Sequence, residues 1–127
     1  MNHRLQGTVG HMSYMLLVVE PRGQRGRRSE EEGREVYAQM VRFSEELKQR
    51  GLLSMSQSLK SDAAGTRVAI RDSVMITDGP FTEAKEMIGG FFLLTCDTRA
   101  QAIEIARQCP AARWATIEVR ELGPCFT

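Results

Sequence analysis

Apolar residues recur along this chain with two spacings, and each spacing names an element. Tyr14 to Val19 is a nearly continuous run of β-branched and long aliphatic side chains, the pattern of a strand covered on at least one face, and Glu20-Pro21 ends it. Val36, Met40, Phe43 and Leu47 then fall at helical spacing, with Tyr37 and Val41 widening the stripe, so residues 30–50 read as an amphipathic helix. Ser29 with Glu32 three residues on is a capping box, Glu30, Glu31 and Glu32 suit the positive end of the helix dipole, and Gly51 is the expected stop.

Beyond that helix the chain alternates. Residues 52–59 read as a strand and residues 60–65 as a turn. Residues 66–70 and 74–77 are two short strands joined through Arg71-Asp72-Ser73 in a hairpin. Gly89-Gly90, a turn or bulge, leads into the apolar strand Phe91 to Cys96. Thr98 and Gln101 supply a second capping box, for a helix that carries Ala102, Ile103 and Ala106 and stops at Pro110. In the last strand Ile117 and Val119 face one side, and Thr116, Glu118 and Arg120 the other.

The order β-α-β-(β-β)-β-α-β predicts an α+β fold of the ferredoxin-like, split-βαβ kind, an antiparallel sheet with two helices on one face. The other face is then open and apolar unless a second subunit covers it, so a homodimer is expected. A length of 127 residues fits one domain, here residues 12–127, with residues 1–11 as a tail that holds both histidines, His3 and His11. A net charge of +1 argues against binding nucleic acid by charge alone. No apolar run approaches the roughly 18 residues of a membrane span. The three cysteines, Cys96, Cys109 and Cys125, are too widely spaced for a disulfide framework and point to a reducing cytoplasm.

Candidate chemistry concentrates in Asp78-Gly79-Pro80-Phe81-Thr82-Glu83-Ala84-Lys85-Glu86. Pro80 fixes its own φ and restricts Gly79, and Asp78 can bond backbone two residues on, so the corner is rigid and aims Phe81. If the stretch is helical, Glu83 and Glu86 share a face; if it is extended, Glu83 and Lys85 share one with Phe81. Either geometry sets Lys85 beside a carboxylate, with Glu20, Glu118 and Arg120 at strand ends as neighbours. The alternative is a salt-bridged structural loop that fixes the turn or the dimer contact. Arg22 to Arg28, with four arginines, is either a solvated loop or an anion clamp. No metal or cofactor is expected: there is no Cys-x-x-Cys and no G-x-G-x-x-G, and Cys96, in a buried strand, and Cys109, at a helix end, read as structural.

The same nine residues, with Gly90, Ala102-Ile103, Cys109-Pro110-Ala111-Ala112 and Ile117-Glu118-Val119-Arg120, closely resemble the DGPF branch of the YCII-related family over roughly residues 12–122. The resemblance implies a dimeric α+β barrel in which two ferredoxin-like sheets pack face to face. Relatives in the wider superfamily use a His–Asp pair for acid–base work on small aromatic or lactone-like substrates. Here residues 30–50 contain no histidine and Cys109 stands where the aspartate is expected, so that pair does not carry over. DGPF-type proteins are also linked with sigma factors of the extracytoplasmic-function type. The expectation is therefore a small-molecule-binding protein, with acid–base catalysis open, and a cleft between sheet and helix near Asp78 to Glu86. The alternative is a regulatory module acting with such a sigma factor at transcription initiation.

Overall fold

Alternation along the central strand sets the layers. The computed structural model describes residues 13–127, and in it Ser13–Pro21 (β1) turns Tyr14, Leu16, Val18 and Glu20 inward. The elements that follow are Glu30–Gln49 (α1), Leu53–Ser58 (β2), Thr66–Ile70 (β3), Val74–Asp78 (β4), Glu86–Thr95 (β5), Arg99–Gln108 (α2) and Thr116–Glu121 (β6). Four strands make one antiparallel sheet in the order β2-β5-β1-β6, while β3 and β4 pair apart as a hairpin. This is the α+β, ferredoxin-like arrangement expected, with the hairpin inserted before β5. The tail expected over residues 1–11 lies outside the described residues.

Both helices cover the same sheet face. Phe43 and Leu47 of α1 and Ala102 and Ile105 of α2 share one core with Tyr14, Leu16, Val18, Phe92 and Leu94. Phe43 meets Phe92 edge-on, ring centroids 5.4 Å apart at 77°. On the other face Met15, Leu17, Val19, Phe91 and Leu93 are half-buried and Met55 is exposed, and among the described residues no helix lies over them.

Helix ends follow the local signals. The Ser29 hydroxyl accepts from the Glu32 N–H at 3.1 Å and the Glu32 carboxylate accepts from the Ser29 N–H at 2.8 Å, so the capping box is closed at both sides. At α2 the Thr98 hydroxyl caps the Gln101 N–H at 3.1 Å, but the Gln101 side chain reaches one residue further back, to the Asp97 N–H at 3.0 Å. Gly51, at φ 72°, takes the left-handed position that stops α1.

One element differs in extent. β5 begins at Glu86 rather than Phe91, because Met87 and Ile88 continue the pairing with Glu20 and Val19. Gly89 and Gly90 are thus inside the strand, where the register with β1 shifts between Val18 and Val19; the bulge reading holds and the turn reading does not. The glycines answer to space: a Cβ on Gly89 would lie 1.8 Å from the Glu20 carboxylate oxygen, and one on Gly90 2.9 Å from the Gln57 carbonyl. Cys96 sits one residue past the strand, buried.

Leu47 is wholly enclosed, whereas Val41 lies on the outer side of α1. Leu47→Ala is expected to cost about 2–5 kcal/mol in urea unfolding, and Val41→Ala within about 0.5 kcal/mol of zero.

Candidate functional site

The last turn-facing position of β1 is a carboxylate. Glu20 is 7% exposed, and an unpaired charge there would be costly. Arg25 meets it with a fork, Nε donating to Oε2 at 2.8 Å and Nη2 to Oε1 at 3.0 Å. The bulge glycine, Gly89, leaves the room this pair occupies, and its carbonyl accepts from Arg25 at 3.4 Å.

That pairing orders the arginine loop, and the other arginines go elsewhere. Arg22 grips Asp62, Nη1 to Oδ1 at 2.9 Å and Nη2 to Oδ2, and also donates from Nε to the Ala84 carbonyl at 2.6 Å. The Arg28 guanidinium lies 5.8 Å from the centre of the Trp114 ring. The Gln24 amide donates to the Trp114 carbonyl at 2.7 Å and fixes the loop against the segment after α2. Most of the loop is thus held by specific partners rather than freely solvated.

Of the clefts that border this loop, two share Leu59. The first, about 800 Å³, lies between the end of β1, the first turns of α1 and Trp114; Glu20, Arg25, Arg28, Arg34 and Tyr37 line it. The second, about 500 Å³, is bounded by Arg22, Asp62, Arg67, Phe81, Glu86 and Ile88.

The residues singled out from sequence divide among separate places. Phe81 is buried beneath the Arg67 guanidinium, 3.8 Å from the ring centre, and Arg67 also donates to Glu83 at 2.6 Å. The stretch after Phe81 is neither helical nor extended: the Ala84 N–H closes a turn on the Phe81 carbonyl at 3.0 Å, because Arg22 claims the Ala84 carbonyl and the Lys85 carbonyl. The exposed Lys85 side chain has no ion pair or hydrogen bond among the described residues, so it is not set beside a carboxylate. Asp78 accepts from the Thr66 hydroxyl at 3.0 Å at the hairpin base. Glu86 borders the second cleft and Glu20 the first. Glu118 and Arg120 pair with each other at 3.1 Å, on the sheet face away from the helices, opposite Leu17 and Met15. Asp62, Arg67 and Trp114 were not among the expected site residues. Their partners lie far off in sequence, 40 residues for Asp62 and Arg22, and no local pattern announces such a pairing.

The neighbours of these groups set their electrostatics. The hydrogen bond from Arg22 holds the Asp62 carboxyl below its usual range, and Arg67 does the same for Glu83. Burial pushes the Cys109 thiol up to about 11 and raises that of Cys96, so neither is a ready thiolate. Among the described residues, no group of three or more His, Cys, Asp or Glu side chains gathers closely enough to hold a metal ion, and no helix is long and apolar enough to cross a membrane.

Residues 12–125 match the YCII-related domain family. An uncharacterized protein of Rhizobium meliloti (strain 1021) is 32% identical over 71 residues, 54% of this chain and 57% of that protein's length.

Since the folded-state pKa of Asp62 is depressed, the Arg22–Asp62 pair contributes stability above the ordinary aspartate range and loses it as pH falls below about 4. Asp62→Asn is expected to unfold at lower urea than wild type near neutral pH, with the gap closing on acidification. A gap that is constant across pH would mean that the charge on Asp62 contributes nothing.

Proposed function

The chain belongs to the YCII-related domain family, and on that premise we propose that it is a homodimeric small-molecule-binding protein whose ligand enters the cleft beside Glu20. The observation that carries this reading is the buried Glu20 carboxylate, held by Arg25 in the wall of an open cleft of about 800 Å³. Acid–base catalysis is the finer version. At Glu20 it would have to work beside the Arg25 fork, which makes one hydrogen bond to each carboxylate oxygen. Three free thiols suit the cytoplasm as the place of work.

The dimer is drawn from the uncovered sheet face. Met15, Leu17, Val19, Phe91 and Leu93 form a continuous apolar surface, and a second copy related by a two-fold axis would bury both surfaces at once. Sedimentation equilibrium is expected to give twice the chain mass of 14.3 kDa, and Leu17→Asp to return the single mass. For the cleft, a panel of small molecules screened by melting temperature is expected to yield compounds that stabilise wild type and not Tyr37→Ala. Compounds that stabilise both alike would place the ligand elsewhere.

A second reading, an accessory role with a sigma factor of the extracytoplasmic-function type, draws on the hairpin. Val68, Ile70, Val74 and Ile76 are 60–69% exposed and pair across β3 and β4 on one face, a surface of the kind that seats a protein partner. Purified sigma factor is expected to bind wild type and lose affinity for Ile76→Asp; equal binding to both would remove the hairpin from this role.

A further inference from the structure

We infer that the cleft beside Trp114 takes a small organic monocarboxylate with a flat ring, gripped by Arg28; the inference rests on the small-molecule reading of that cleft and names its ligand class. The charges around the cleft decide the sign and size of the ligand's charge. Arg25 is matched by Glu20, and Arg34 by Glu30 at 2.7 Å. Arg28 alone is unmatched: its side chain has the Trp114 ring and, among the described residues, no hydrogen bond or ion pair. One cation is therefore left over.

A single carboxylate neutralises that cation. A phosphate dianion would leave a surplus negative charge in a cleft already bordered by Glu20 and Glu30. The guanidinium also favours a planar, two-oxygen partner, because its N–H groups form a fork that a carboxylate matches in two parallel hydrogen bonds. The Arg28 guanidinium lies over the indole, 5.8 Å from the ring centre, and borders the cleft.

The walls specify the rest of the ligand. Trp114, the largely exposed Tyr37 and the aliphatic Leu59 present ring and hydrocarbon surface beside the Arg28 head. Such surfaces take a flat apolar body and leave its charged end at the guanidinium. The hydrogen bond from Gln24 to the Trp114 carbonyl ties the arginine loop to the indole segment before a ligand arrives, which lowers the ordering cost of binding.

Trp114 is the one tryptophan of the chain, so its emission reports this cleft directly. The full-length chain is titrated with benzoate, with its neutral isostere benzamide and with phenyl phosphate, each followed by emission and by calorimetry. Benzoate is expected to change the emission saturably and to bind tightest of the three. Arg28→Gln should weaken benzoate about tenfold, the loss of a charge-assisted contact, with Arg28→Lys in between and Arg27→Gln, outside the cleft, unchanged. Benzamide or phenyl phosphate binding as tightly as benzoate overturns the monocarboxylate assignment and leaves small-molecule binding standing. If Arg28→Gln keeps a native circular dichroism spectrum and full benzoate affinity, the role of Arg28 is overturned. If none of the three alters Trp114 emission, the assignment falls, and the broader reading is judged separately by the melting-temperature screen with Tyr37→Ala.

Discussion

A carboxylate placed inward at the end of the central strand has to be neutralised, and the way this chain does so shapes everything around it. Glu20 continues the alternation that buries Tyr14, Leu16 and Val18, so its direction is set by the sheet and not by its polarity. Removing either partner of a buried pair strands the other charge, at a cost of about 3–5 kcal/mol. The fork from Arg25 avoids that cost, but the fork needs space, and a Cβ at Gly89 would push the carboxylate out of its present place. The bulge glycine of β5 and the loop after β1 thus meet at one inward-facing acid.

From that loop the consequences spread to the hairpin. Once Arg25 is committed to Glu20, Arg22 points to the opposite side, where Asp62 and the Ala84 and Lys85 carbonyls receive it. A two-stranded hairpin is only marginally stable by itself, and β3 and β4 pair with no other strand. What fixes their base is polar: Arg22 on Asp62, Arg67 over Phe81 and onto Glu83, and Thr66 on Asp78. The Asp78-Gly79-Pro80-Phe81 corner thus belongs to an attachment point, in keeping with the salt-bridged alternative, while its buried member Phe81 and the neighbouring Glu86 still border the second cleft.

How much of this was legible in the sequence follows from the range of each interaction. Capping at Ser29 and Glu32, the stripe Val36, Met40, Phe43 and Leu47, and the bounds of β3 are local patterns, and they read directly. The beginning of β5 did not, because Glu86 to Gly90 lacks an apolar alternation of its own and is extended through pairing with β1. The same limit governed the site. Glu20 was named on its strand-end position, but its partner and the cleft with Trp114 depend on contacts across the fold, up to 90 residues apart for Gln24 and Trp114. Lys85 misled in the opposite way, since proximity in sequence to Glu83 and Glu86 created no contact once Arg67 had taken Glu83.

Paired and unpaired charge are unevenly distributed over the fold. A catalytic carboxylate or thiol keeps a lone pair available to the substrate. Here the Glu20 and Asp62 carboxylates are each forked by an arginine, and burial raises the pKa of the Cys96 and Cys109 thiols. Among the described residues the Arg28 guanidinium, beside the Trp114 ring, has no ion pair, and neither has the Glu86 carboxylate at the second cleft. Paired and unpaired charges thus stand side by side around the two clefts, and the pairs are the ones that hold the loop after β1 and the hairpin in place.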